Sequence, residues 1–213
     1  MNNSIADIRK DYTKRSLEIA QASSSPIEQF KIWFQEAVSA AVPEPNAMNL
    51  STISADGKPA SRIVLLKGIE DGGFTFFTNY ESRKGREMSG HPFVAITFFW
   101  PELERQVRIE GRVSRLSDHL SDVYFKSRPR GSQVGAWVSP QSHVIASREM
   151  LIEQQLAIEQ QYENQEVPRP PHWGGYLVTP ALVEFWQGRP SRLHDRIQYT
   201  LHGEAWKLER LAP

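Results

Sequence analysis

The middle of the chain is a ladder of short apolar runs separated by turn residues, and this limits the fold more than any other feature. "AMNLSTIS" (47–54) and "ASRIVLLKG" (60–68) flank "ADGKP", whose Asp-Gly pair marks a hairpin. "FTFFTN" (74–79) follows the turn "EDGG", while "FVAITFFW" (93–100) and "RQVRIEGRVSRL" (105–116) flank "PELE". Five strands so closely spaced indicate a mostly antiparallel sheet or barrel. Three more strands are expected at 173–179, 181–187 and 192–200, and a last one at "AWKLERL" (205–211). Helical stretches fall around 82–89, 117–127, 131–137 and 147–164, the last starting at the cap Ser147. Ahead of the ladder, Ser25, Pro26 and Glu28 form a helix start of the capping-box type. Ile27, Phe30, Phe34, Ala37, Val38 and Ala41 make an apolar stripe at helical spacing, stopped by "PEP" at 43–45. The expected fold is mainly β with peripheral helices (α+β), a β-barrel. Residues 1–24 form a polar arm, and 25–213 a single domain.

Bulk chemistry removes several functions. Lys and Arg number 25, as do Asp and Glu, so there is no overall field for nucleic acid or a membrane. Any anion has to be met by local clusters. The chain has no cysteine, which excludes disulfides, thiolate nucleophiles and zinc–thiolate sites. The N-terminal "MNNSIADIRKDYTKR" is polar, unlike a signal peptide, and the longest apolar run is far short of the ~20 residues of a membrane helix. A cytoplasmic protein is expected. There is no G-x-G-x-x-G, Walker loop, G-x-S-x-G or H-E-x-x-H, and the six histidines form no pair at helical spacing. No metal site is expected.

The cationic stretches carry more information. Ser82, Arg83 and Lys84 start a short helix, where the free amides already favour an anion, so two cations there are either solvated or part of a phosphate site. "RIVLLK" (62–67) reads as a strand buried on both faces, with Arg62 and Lys67 snorkelling at its ends or serving two different anions. Tyr124, Arg128, Arg130 and Ser132 gather around a Pro-Gly turn, and are either a solvated basic loop or donors to a phosphate monoester. In "FWQGRPSRLHDRIQY" (185–199), spacing of two would put Arg192, His194 and Arg196 on one face of a regular strand, near Trp186. An exposed polar edge strand is the plain alternative.

Taken in order, these stretches resemble the pyridoxine/pyridoxamine 5′-phosphate oxidase family. The matching pieces are "IRKDYTK", "RIVLLK", "FFTNYESRKG", "LERQVRIEG", "YFKSRPRGSQVGAWVSPQS", "HWGGYLV", "EFWQG", "RLHDR" and "WKLERLAP", and they cover nearly the whole chain. The resemblance implies an FMN-binding split barrel working as a homodimer with interfacial flavin sites. It implies oxidation of pyridoxine or pyridoxamine 5′-phosphate to pyridoxal 5′-phosphate, by hydride transfer from C4′ to flavin N5, with O2 reoxidising the flavin to give H2O2. It assigns FMN to Arg62, Ile63, Val64, Leu65, Leu66, Lys67, Phe77, Thr78, Arg83, Lys84, Gln106, Gln141, Ser142, Trp186 and Arg196. It assigns the substrate phosphate to Lys67, Tyr124, Arg128 and Ser132. Arg192, Leu193 and His194 would hold the pyridine ring, with Arg192 and His194 as the catalytic pair, and Arg9 and Tyr12 would form a lid. A non-catalytic FMN or pyridoxal-phosphate carrier on the same barrel is the alternative, since fold does not guarantee activity. A nucleic-acid-binding barrel is the more distant rival, disfavoured by the zero net charge.

Overall fold

A computed structural model of the chain describes residues 4–5 and 11–213. Arg9 lies outside the described residues. The helices are α1 (Pro26–Ser39), α2 (Arg83–Gly90), α3 (Asp118–Ser127), α4 (Arg130–Val138) and α5 (Arg148–Gln161). The strands are β1 (Ala47–Ile53), β2 (Pro59–Leu65), β3 (Gly68–Glu70), β4 (Gly73–Asn79), β5 (Phe93–Trp100), β6 (Arg105–Arg115), β7 (Trp173–Gln187), β8 (Asp195–His202) and β9 (Ala205–Leu211). They are hydrogen-bonded in the order β2-β1-β5-β6-β7-β4-β3, with β8 joined to β7 and β9 to β8. The pairs β3/β4, β4/β7, β7/β8 and β8/β9 are all antiparallel. Among the described residues no helix is long and apolar enough to cross a membrane.

Packing divides the chain into two compact units whose segments interleave along the sequence. The first takes residues up to Leu50, Ala95–Gly111 and Pro180–Pro213; the second takes Ser51–Val94 and Arg112–Thr179. Strand β7 is continuous where two strands are expected at 173–179 and 181–187. Its early residues pair with β4 (Phe74↔Val178 to Asn79↔Trp173) and its later ones with β8 (Leu182↔Thr200 to Gln187↔Asp195). Pro180 falls at the change of partner, where a residue without an N–H is tolerated.

The first unit is built on aromatics. Ser25 Oγ accepts from Glu28 N to start α1. The other half of the expected capping box is absent: Ser23 Oγ takes the Ser25 N–H, and Glu28 pairs with Lys31 instead. The buried face is Phe30, Trp33 and Ala37, and Val38 from the expected stripe is 46% exposed. The stripe is therefore turned toward Trp33, whose ring meets Phe185 at 5.1 Å and carries the Arg105 guanidinium at 4.1 Å. Phe30 packs on Phe98 and Trp100, and Phe185 on Tyr199. Burial pushes the Tyr199 hydroxyl up to about 12, and it donates to Ser23 O.

In the second unit, β2 differs from the expected strand buried on both faces. Its residues alternate between exposed and half-buried, with Ile63 67% exposed. The physical reason is its position: it closes one end of the strand order, so an unbroken apolar run can sit at an edge. Phe125, Val134, Val138, Val167 and Trp173 form a second core cluster that Tyr124, Phe77 and residues of α5 pack against. Ser117 caps α3 through Leu120 N. Ser147 stands at the N-cap of α5 without a side-chain hydrogen bond to a free helix amide.

Candidate functional site

In the second unit, β4 delivers the chain into α2 through a tight turn. Ser82, fully buried, donates to Asn79 O and accepts from Gly85 N, which sets the first turn of the helix. Gly85 is required there because a Cβ would lie 2.0 Å from the Tyr80 carbonyl oxygen. This turn carries Lys84 inward. Its Nζ donates to Gln141 Oε1 (2.7 Å), Thr78 Oγ1 (3.0 Å) and Ser82 Oγ (3.2 Å), all of them neutral oxygens. Burial and repulsion from Arg62 push the ammonium down to about 8. An ammonium held only by neutral acceptors at a helix N-terminus has the chemistry to receive an anion.

Glu87 organises the other two cations. Its carboxylate accepts from Thr52 Oγ1 (2.6 Å), Arg83 Nε (2.8 Å) and Arg62 Nη2 (3.0 Å), and Arg62 also donates to Thr52. Burial raises the Glu87 pKa, but the hydrogen bonds from Thr52, Arg83 and Arg62 outweigh it and the net direction is down. Two cations thus share one carboxylate while Lys84 has only neutral partners, so the three cations keep a positive surplus. Glu87 was not foreseen from sequence, although its i,i+4 spacing from Arg83 was a usable signal.

A second anion-competent region lies in the same unit. A cavity of about 210 Å³ is lined by residues that include Lys67, Thr75, Phe77 and Tyr124. Tyr124 stacks on Phe77 at 3.8 Å and lies parallel to Trp173 at 6.2 Å. The Arg128 guanidinium sits 4.5 Å from the Trp173 ring centroid. Its Nη1 is buried with no hydrogen-bond partner among the described residues, and burial holds its pKa below the usual arginine value. Buried donors are nearly always satisfied, so this guanidinium nitrogen is one that a bound acceptor would satisfy. Ser132 follows on the first turn of α4, exposed. Arg130, grouped with these residues on sequence, is used structurally: it donates to Tyr162 O and Gln165 O. A larger groove of about 1210 Å³ is lined by Arg130 but by none of Lys67, Tyr124, Arg128 and Ser132.

The first unit gathers the remaining residues. Trp186 on β7 lies opposite Arg196 on β8. Arg192 does not share a strand face with Arg196 as the spacing of two suggested. Pro190–Arg192 is a 3-10 turn, Ser191 (φ 57) and Arg192 (φ 61) are left-handed, and β8 starts only at Asp195. The turn leaves Arg192 and Leu193 exposed and brings His194 to Trp186, ring to ring at 4.6 Å. The Arg189 backbone N–H donates to His194 Nδ1, so the neutral imidazole carries its proton on Nε2. Burial and the Arg192 charge push the His194 pKa down, with Asp195 opposing. Tyr12 contacts both rings edge-on, Trp186 at 5.7 Å and His194 at 5.9 Å. Arg196 and Arg108 share the buried Glu184, at 2.7 and 2.8 Å. Gln106 is half-buried on β6, between buried Arg105 and Val107.

The expected residues thus fall into two sets. Arg62 to Lys67, Phe77, Thr78, Arg83, Lys84, Tyr124, Arg128, Ser132, Gln141 and Ser142 (φ 70) belong to the second unit; Tyr12, Gln106, Trp186, Arg192, Leu193, His194 and Arg196 belong to the first.

The fold defines the class. It is a split barrel, matching a pyridoxamine 5′-phosphate oxidase-related, FMN binding protein from Nostoc punctiforme PCC 73102 (TM-score 0.72, 18% identity, 90% of this chain and 100% of that one). It also matches PhzG from Burkholderia lata 383, solved with tetrahydrophenazine-1-carboxylic acid, at TM-score 0.89 and 31% identity over 94% of this chain and 100% of that one. Residues 34–162 match the family described as pyridoxamine 5′-phosphate oxidase, and 173–213 match a pyridoxine 5′-phosphate oxidase C-terminal dimerisation region. Pyridoxine/pyridoxamine 5′-phosphate oxidases of Cyanothece sp. and Neisseria meningitidis serogroup B are each 58% identical, over 100% of both chains and over 97% and 98% respectively. The chain belongs to the pyridoxine/pyridoxamine 5′-phosphate oxidase family.

Proposed function

We propose that the chain is an FMN-dependent oxidase that converts pyridoxine or pyridoxamine 5′-phosphate to pyridoxal 5′-phosphate. The observation that carries this reading is the second anion region. A flavin carrier needs one phosphate cradle, and Lys84 with its neutral acceptors meets that need. The orphan Arg128 Nη1 beside Tyr124 and the Lys67-lined cavity has no use in a flavin carrier but suits a phosphorylated substrate.

The donor set around Lys84 fits an FMN phosphate: an ammonium held only by neutral oxygens, with the Arg62 and Arg83 guanidinium groups beside it. When bound, FMN would supply at N5 the acceptor for the two electrons and hydrogen leaving the substrate's C4′, with O2 the final acceptor and hydrogen peroxide the product. Arg128, Tyr124 and Lys67 bind the substrate phosphate, and this remote binding energy serves orientation at the reacting carbon. His194, neutral and with its proton fixed on Nε2, offers a donor of defined direction to a polar group of the pyridine ring. Arg192 adds a positive field beside it, and Tyr12 covers the His194–Trp186 pair against water.

A homodimer completes the reading. The exposed apolar Ile63 and Leu65 on the edge strand, and the match of 173–213 to a dimerisation region, support it. The test is an oxygen-uptake assay on FMN-loaded protein with both substrates, alongside detection of pyridoxal 5′-phosphate. Uptake matched by product is expected. FMN bound tightly with no turnover of either substrate would leave the carrier.

A further inference from the structure

We propose that Glu104 and Gly188 are positioning residues that seat Tyr12 over His194 and Trp186; the inference rests on the reading of Tyr12 as a lid over a substrate-facing His194. Glu104 ends the "PELE" turn, 2% exposed and with a left-handed backbone (φ 56). A side-chain-bearing residue keeps that conformation only where its surroundings over-determine it. The surroundings here are two attachments made by one residue. Its carboxylate Oε2 accepts from the backbone N–H groups of Thr13 (2.9 Å) and Lys14 (3.1 Å), 91 and 90 residues away in sequence. Its backbone oxygen accepts from Gly188 N (2.7 Å) and from Gln187 Nε2 (3.2 Å). Gln187, fully buried, is held in turn by Arg105 Nε.

The geometry makes Glu104 a clasp. It joins the arm, at the two residues following Tyr12, to the end of β7, directly after Trp186. Tyr12 then falls on the two rings, and Gly188 makes room for it: a Cβ at 188 would lie 2.6 Å from Tyr12 Cγ and 2.8 Å from Tyr12 Cβ. The backbone of Gly188 does not demand glycine, since its φ is not left-handed. The missing side chain is therefore explained by Tyr12 and not by the turn. Beyond the clasp, Arg189 Nη1 donates to Arg15 O and Asp195 accepts from Leu17 N, so the arm is tied down after the clasp as well.

The test uses the FMN-loaded full chain with two readouts. In limited trypsin digestion, cleavage after Lys14 and Arg15 is followed by mass spectrometry. Glu104→Ala removes two charge-assisted hydrogen bonds, so cleavage there should speed up about tenfold or more. Glu104→Gln keeps an oxygen acceptor and should stay near wild type. In steady-state kinetics, Glu104→Ala should raise KM for pyridoxamine 5′-phosphate far more than it lowers kcat, as expected for a lost cover. Gly188→Ala should raise KM in the wild-type background and add nothing in Tyr12→Ala, because its clash is with Tyr12. Unchanged cleavage in Glu104→Ala, or a Gly188→Ala effect that persists undiminished in Tyr12→Ala, overturns the proposal. If Glu104→Ala does not fold, the Gly188/Tyr12 pair decides alone. A wild-type protein inactive on both substrates would sink the oxidase reading, while digestion would still decide the clasp.

Discussion

Lys84 ties cofactor binding to pH in a way that can be worked out in sign and size. Its pKa stands at about 8 instead of the ordinary 10.5, because burial and Arg62 disfavour the charge. At neutral pH the ammonium is charged in both the folded and unfolded protein, so the ligand-free fold carries the full penalty. At about 1.4 kcal/mol per tenfold, this is at most about 3 kcal/mol, and solvent screening of the partly exposed ammonium reduces it. As pH rises from about 8 toward 10.5 the folded protein releases the proton first, and ligand-free stability increases across that window. An FMN phosphate reverses the penalty by restoring the proton. Binding therefore takes up a proton in the same window, and Kd should rise by up to about tenfold per pH unit above pH 8. Lys84→Met should weaken FMN at neutral pH by about tenfold to a hundredfold through the lost charged contact. It should also stabilise the ligand-free protein and remove the pH dependence. Titrating FMN by fluorescence quenching between about pH 7 and about pH 10, with urea unfolding of the ligand-free forms, measures all three. A flat Kd in the wild type, or the same slope in Lys84→Met, would refute the argument.

Two further substitutions separate the anion regions. Arg128→Met should raise KM for both phosphorylated substrates about tenfold to a hundredfold and leave FMN affinity intact. It should not lower folding stability, since it removes a buried orphan donor; denaturation midpoints check this. Arg192→Ala should cut turnover while FMN remains bound, measured by oxygen uptake and flavin titration, and an equal loss of flavin would mean that Arg192 touches the cofactor.

The strands and helices were legible because turn signals and caps are local. The Asp-Gly hairpin and the Ser25 cap act within a few residues of themselves, although the expected cap Ser147 makes no side-chain bond to a helix amide. The errors arise where tertiary context decides. Alternation at 192–196 mimics a strand, but Pro190 and two left-handed residues put a 3-10 turn there. "RIVLLK" has the composition of a buried strand, and edge placement leaves Ile63 exposed. The cations of the site were readable as residue types. Their carboxylate partner Glu184 and the clasp at Glu104 were not, because each is defined by contacts between residues far apart in the sequence, such as Glu184 with Arg108; Glu87 had its i,i+4 spacing from Arg83 as a local sign, while its contacts to Thr52 and Arg62 had none.

The interleaving of the two units has a consequence for how the protein is made. Neither unit is one contiguous stretch, so neither can be finished early during synthesis. The aromatic core around Trp33 waits for Phe185 on β7, and Tyr199 reaches back 176 residues to bond Ser23. Chains dominated by such distant pairings fold slowly, because loop closure must precede the contacts that reward it. Until β7 and β8 emerge from the ribosome, Phe30, Trp33 and Phe98 lack part of their cover, and the growing chain carries an apolar surface of the kind that chaperones bind.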